Sequence, residues 1–182
     1  MVEGFLRVMR EYDCPVRITC AIPFEPGSQR LRFPEIEWLP YTPEIRSRCI
    51  SSCDVWLGLG DSPFQIDSGP WFIAHLLQEV QLCKVFSKPM YYLCVGVNNR
   101  EAMDVPEMRT VLDCADHIWT RDEHSAEYLG QVITRARITE GADLGYITVS
   151  DHAFQNLESE SIGFLFNFER KGSFDPRALC EY

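Results

Sequence analysis

Long apolar runs are missing from this chain. The most apolar stretch, residues 71–86, is interrupted by His75, Gln78, Glu79, Gln81 and Lys84. It falls short of the roughly 20 uninterrupted residues that a membrane-spanning helix needs. Cations are scarce: 17 Lys and Arg stand against 27 Asp and Glu, a net charge of −10. A surface of that sign repels a phosphate backbone, so nucleic acid is excluded as an expected partner. An anionic small substrate stays open, because one arginine can dominate the field inside a cleft. The GxGxxG spacing of a dinucleotide fingerprint is absent, and with it the case for a nicotinamide cofactor. Paired CxxC spacings, internal repeats and low-complexity tracts are absent as well. The first segment, MVEGFLRVMREY, carries charges inside its apolar stretch and has no small-residue cleavage site. It reads as a helix and not as a signal peptide.

What is present is enough for a folded domain. The 182 residues are 46% hydrophobic and 24% charged, near the average for globular proteins. There are eight cysteines, several of them inside apolar runs such as YYLCVGV. That is the setting of buried free thiols in a reducing compartment, and the expected location is cytoplasmic. Cys49 and Cys53 are four residues apart and share a helix face. Two thiolates without further ligands do not make a zinc site, so no metal and no cofactor are expected.

The apolar periodicity predicts a helix over 2–12 and strands at 16–22, 54–59, 90–97, 117–120 and 137–140. Helices are predicted over 43–52, 70–86, 105–114 and from 121 to 131. Residues 23–43 read as loop, with room for a short strand around 36–39. Strand and helix alternate, which predicts an α/β fold: a Rossmann-like parallel sheet with helices on both faces. The Rossmann-like domain is expected over 1–157. A polar hinge at 158–161 then leads to an apolar strand at 162–168, the start of a second domain over 158–182. The first strand of the sheet and most of the second domain are expected to be missing. The chain therefore reads as cut at both ends and prone to self-association.

Three segments together resemble the polysaccharide pyruvyl transferase family. They are CDVWLGLGDSPFQID at 53–67, QLCKVFSKPMYYLCVGV at 81–97 and CADHIWTRDEHSAEYL at 114–129. The resemblance spans roughly residues 45–170, with Asp143 falling where the family places an aspartate before its interdomain crossing. It implies the N-terminal half of a two-domain fold similar to the GT-B glycosyltransferases. The implied reaction moves a pyruvyl group from phosphoenolpyruvate to a sugar, bridging two hydroxyls as a ketal while phosphate leaves. Phosphoenolpyruvate and a sugar acceptor are the implied partners. Two other readings stay open: a GT-B-type glycosyltransferase using a sugar nucleotide, and a non-catalytic glycan-binding relative.

Such chemistry needs cationic donors for the donor's anionic groups, a general acid for the enol carbon and a base for the hydroxyl. Arg121 is the expected anion ligand, because it stands where a strand ends and a helix begins, the edge at which open α/β sheets bind ligands. A structural ion pair with Asp122 or Glu123 is the competing role. Gly60, Asp61 and Gln65 form the expected sugar-contacting loop, with a tight strand-to-helix turn as the alternative. Ser125 is carried as a substrate-side candidate, although its type and place, like those of Asp122, suit helix capping better. His75 is the candidate proton-transfer group, since Gln78 and Glu79 give its helix face a polar character that suits a cleft or solvent. Arg121, the loop and His75 are expected to converge on one edge of the sheet.

Overall fold

The computed structural model describes residues 2–13, 16–22, 27–60, 62–98 and 100–145, all within one compact unit, Met1–Val149. The expected hinge at 158–161 and strand at 162–168 lie outside the described residues, as does Asp61.

Helix α1, Val2–Glu11, buries Gly4 and Leu6. Strand β1 (Ile18–Ile22), helix α2 (Gly27–Arg32) and strand β2 (Ile36–Pro40) follow. Helix α3, Pro43–Ser52, begins as its sequence dictates: Pro43 fits the first turn, and the Thr42 hydroxyl accepts from the Ile45 N–H at 3.3 Å. Then come β3 (Trp56–Leu59), α4 (Pro70–Val85), β4 (Met90–Val95) and a 3₁₀ turn at Arg100–Asp104. The last elements are α5 (Pro106–Asp113), β5 (His117–Thr120), α6 (Glu123–Val132) and β6 (Arg137–Glu140). α4 and α5 both open on proline, which loses no helical hydrogen bond at that position.

Every strand pair is parallel. The strands do not make the single sheet expected from the sequence. β3-β4-β5-β6 form one sheet, and β1-β2 form a second. The segment 16–22 therefore leaves the main sheet, because its partner is β2, in the stretch read mainly as loop. The β2 sequence has the period of a strand: Ile36 and Trp38 are buried and Glu37 between them is exposed.

The main core gathers the apolar stripes of α4, α5 and α6 on β4 and β5. Tyr92, Val95, Ile118, Met108, Val111, Leu112 and Leu129 are all fully buried there. Side-chain alternation puts Tyr91, His117 and Trp119 on the opposite face. Tyr91 meets Trp119 edge-on and His117 stacks on Trp119 with centroids 3.5 Å apart. Among the described residues this row is only half-buried. A smaller core of Leu6, Phe33, Ile36 and Trp38 joins α1 to the two-stranded sheet. The described part is thus α/β with parallel strands throughout, and none of its helices is long and apolar enough to cross a membrane.

Candidate functional site

Parallel strands deliver the residues that follow them to one edge of the sheet. After β3 come Gly60 and Ser62, after β4 Gly96 and Asn98, and after β5 Arg121. Gly60 closes β3: its φ is +63°, a conformation that glycine adopts freely, and its N–H donates to Leu93 O at 2.7 Å. The backbone of Cys94 is also left-handed, with φ +56°, and the β4–β5 register shifts between Tyr92 and Val95. This irregularity lies at the carboxyl end of β4, just before Gly96 and Asn98.

Three side chains meet there. Arg121 Nη2 donates to Ser62 Oγ at 3.2 Å and to Asn98 Oδ1 at 3.1 Å. Ser62 Oγ in turn donates to Asn98 Oδ1 at 2.8 Å. Arg121 lies flat against the backbone at Gly96, where a Cβ would run into its guanidinium. Its Nε is 3.5 Å from Asp122 Oδ2. Asp122 also caps α6, with Oδ1 accepting from the Ser125 N–H at 2.7 Å. Burial pushes the Asp122 carboxyl up, but the Ser125 hydrogen bonds and the Arg121 charge outweigh it and hold the group below the ordinary value. Arg121 thus has the competing ion pair and also stands at the carboxyl edge of the sheet, with 29% of its side chain still exposed.

The other candidates separate. Ser125 is only 1% exposed, and its hydroxyl accepts from the Val97 N–H at 3.0 Å. It ties α6 to the turn after β4, which makes it scaffold beneath the edge and not a group facing a ligand. Gln65 is turned inward on its own loop: its Nε2 donates to Ser68 Oγ at 2.6 Å and its Oε1 accepts from Ser68 N at 2.9 Å. Gly60, Ser62 and Gln65 nevertheless border one open cavity of about 340 Å³, walled by Trp56, Trp71 and Phe72. Ser62 belongs both to this cavity and to the Arg121 cluster. The aromatic-walled hollow and the Arg121 cluster are thus linked through Ser62 alone, and Arg121 itself does not line the hollow.

His75 meets the cavity wall only through Trp71, whose ring lies edge-on at 6.5 Å, and takes its polar partners elsewhere. Its ring lies 4.6 Å from that of Tyr41, whose hydroxyl is 3.5 Å from Nδ1. The Tyr41 hydroxyl donates to Glu79 Oε1 at 2.9 Å and accepts from Arg46 Nη1 at 2.9 Å. Arg46 Nη2 donates to Gln78 Oε1 at 2.5 Å. The polar face of α4 that pointed to a cleft is therefore matched by Arg46 of α3, which is itself buried. Burial, and then the Arg46 charge, lower the His75 pKa. Burial raises that of Glu79 against the pull of Tyr41 and Arg46, and lifts Tyr41 to about 12 with help from the Glu79 charge. The expected convergence thus joins the loop to Arg121 through Ser62, while His75 sits in an interhelical polar cluster.

Ser62, Asn98 and Gly96 were not singled out from the sequence. Their position directly after β3 and β4 is the signal that could have found them. Among the described residues no group of three or more His, Cys, Asp or Glu side chains is placed to hold a metal ion. Comparison with family models, curated proteins and solved structures gave no match.

Proposed function

We propose that this chain carries the donor-binding edge of a pyruvyl transferase that uses phosphoenolpyruvate and a sugar of a polysaccharide or its precursor. The observation that carries the reading is the meeting of Arg121 with Ser62 and Asn98 at the carboxyl edge of a parallel sheet. Arg121 stands in one of the three segments that resemble the pyruvyl transferases, and Ser62 in another. A guanidinium presents paired N–H groups to a carboxylate or phosphate, a geometry that lysine lacks. Ser62 and Asn98 hold it in place before the ligand arrives. The hollow beside them offers Trp56, Trp71 and Phe72 to the apolar faces of a sugar ring.

In the proposed reaction C3 of the enol gains a proton and C2 becomes electrophilic. One sugar hydroxyl adds to C2, the C2–O bond to phosphate breaks, and a second hydroxyl closes the ketal. The two hydroxyl protons balance the proton taken up at C3 and the one carried off by phosphate. Arg121 would hold the donor's anionic group and stabilise charge on the leaving phosphate. His75, engaged with Tyr41, is not assigned the acid role. The experiment is a phosphoenolpyruvate titration of the chain against Arg121→Ala: loss of binding in the variant supports the reading, and equal binding removes it.

A further inference from the structure

The hollow beside the Arg121 cluster differs from that cluster in charge. Its apolar walls include Trp56, Trp71 and Phe72, and its polar side chains include Ser62, Gln65 and Ser68. Among the described residues no Lys, Arg, His, Asp or Glu lines it. The segment 56–72, which supplies most of the lining, contains two charged residues, Asp61 and Asp67, and both are acidic. On a chain of net charge −10 such a hollow disfavours an anionic ring.

The shape of the walls narrows the occupant further. The Trp71 and Phe72 rings meet at 74°, with centroids 5.6 Å apart. They make a corner and not a parallel slot, so they cannot sandwich a flat base. A puckered pyranose, whose C–H groups point in several directions, fits a corner. Trp71 is 66% exposed at the start of α4, which leaves its indole open to a second ring. Gln65 and Ser68 supply the polar side. Their mutual bonds use one Gln65 amide proton, the Gln65 Oε1 and the Ser68 oxygen. The second Gln65 amide proton and the Ser68 hydroxyl proton have no partner among the described residues, so two neutral donors remain for ring oxygens. The volume of about 340 Å³ is near the lower end for small-molecule pockets, which suits one sugar unit and not a long glycan segment.

We propose that the hollow selects a single neutral pyranose, stacked on Trp71 with its hydroxyls toward Gln65 and Ser68, and that it rejects uronic acids. Trp71 is then the residue that sets specificity for the ring. The proposal deepens the acceptor half of the function given above and rests on that reading for its place in a reaction. The binding itself does not need the donor, because Arg121 does not line the hollow.

Magnetic resonance titration of the full chain, without phosphoenolpyruvate, tests this. The probes are the methyl pyranosides of glucose, galactose and mannose, the methyl glycosides of their uronic acids, and uridine as a flat ring. At least one neutral hexoside should shift the Trp71 indole N–H and the Gln65 side-chain amide saturably. It should bind ~10-fold or more tightly than its uronic acid counterpart. Trp71→Ala should weaken it about tenfold, and Trp71→Phe, which keeps an aromatic face, by less. The proposal is overturned if none of the three neutral hexosides gives a saturable shift at tens of millimolar. It is overturned equally if a uronic acid or uridine binds as tightly, or if a folded Trp71→Ala chain keeps the wild-type affinity. Should Trp71→Ala not fold, the wild-type shifts decide, and shifts that spare Trp71 and Gln65 overturn it. With no donor present, failure here leaves the role of Arg121 to its own titration, and failure of phosphoenolpyruvate to bind leaves this result standing.

Discussion

Arg121 is held by contacts that each leave a distinct signature. Its guanidinium rests on Gly96, and a methyl group there has no room unless the arginine moves. Gly96→Ala is therefore a way to displace Arg121 without removing its charge. Hydrogen bonds to charged groups are worth about 1.5–3 kcal/mol, so phosphoenolpyruvate affinity is expected to fall tenfold or more, on the order of 1.4 kcal/mol at least. Calorimetric titration gives the affinity, and circular dichroism shows whether the fold persists. A folded Gly96→Ala chain with wild-type affinity would show that the seating of Arg121 does not matter for the ligand. This glycine was legible only as part of a VGV run; that it makes room for an arginine some 25 residues later depends on strand order, which a single sequence does not display.

At the scale of elements, two helix-level devices carry opposite pH signs. Asp122 caps α6 and its folded pKa is depressed. Its contribution is present above the ordinary carboxylate pKa and is lost as pH falls through the folded value. Asp122→Ala should cost about 1 kcal/mol at neutral pH and progressively less in acid, as read from urea midpoints at several pH values. An equal cost in acid and at neutrality would refute the cap as an ionic one. Glu79, between α3 and α4, is raised. Folding favours its neutral form, so that contribution is present below the ordinary value and is lost as pH rises through the folded value. Glu79→Gln keeps an acceptor for Tyr41 and should flatten the fall in stability from mild acid to neutral pH. Parallel wild-type and variant profiles would contradict this. The cap was readable from Asp122 before a helical pattern. The partnership of Glu79, Tyr41 and Arg46 was not, because polar residues on a helix face look alike whether they meet water or another helix. The same ambiguity applies to His75, whose polar partner Tyr41 could not be read from its own helix.

At the scale of the whole molecule, the periodicities at 54–59, 90–97, 117–120 and 137–140 were sufficient to foretell four parallel strands, observed at 56–59, 90–95, 117–120 and 137–140, and the helices between them follow from apolar stripes, with proline starts for α4 and α5. The division into two sheets was not foretold. It depends on the pairing of β1 with β2, and β2 lies in a stretch rich in proline, glycine and charge, where only the Ile36–Trp38 alternation speaks for a strand. The carboxyl edge, by contrast, follows directly from strand polarity, and it places Arg121 near Ser62 despite their separation of 59 residues.

The proposed function depends on that edge more than on any other feature, and titration with phosphoenolpyruvate tests it most directly. The wild-type chain should bind saturably. Arg121→Lys keeps the charge but loses the fork, and should bind clearly more weakly. Arg121→Ala should lose about 2–5 kcal/mol if the pair with the ligand is desolvated. Graded loss in the order wild type, lysine, alanine is the result the account predicts; equal affinity in all three would contradict it and leave Arg121 a structural role through Asp122, Ser62 and Asn98.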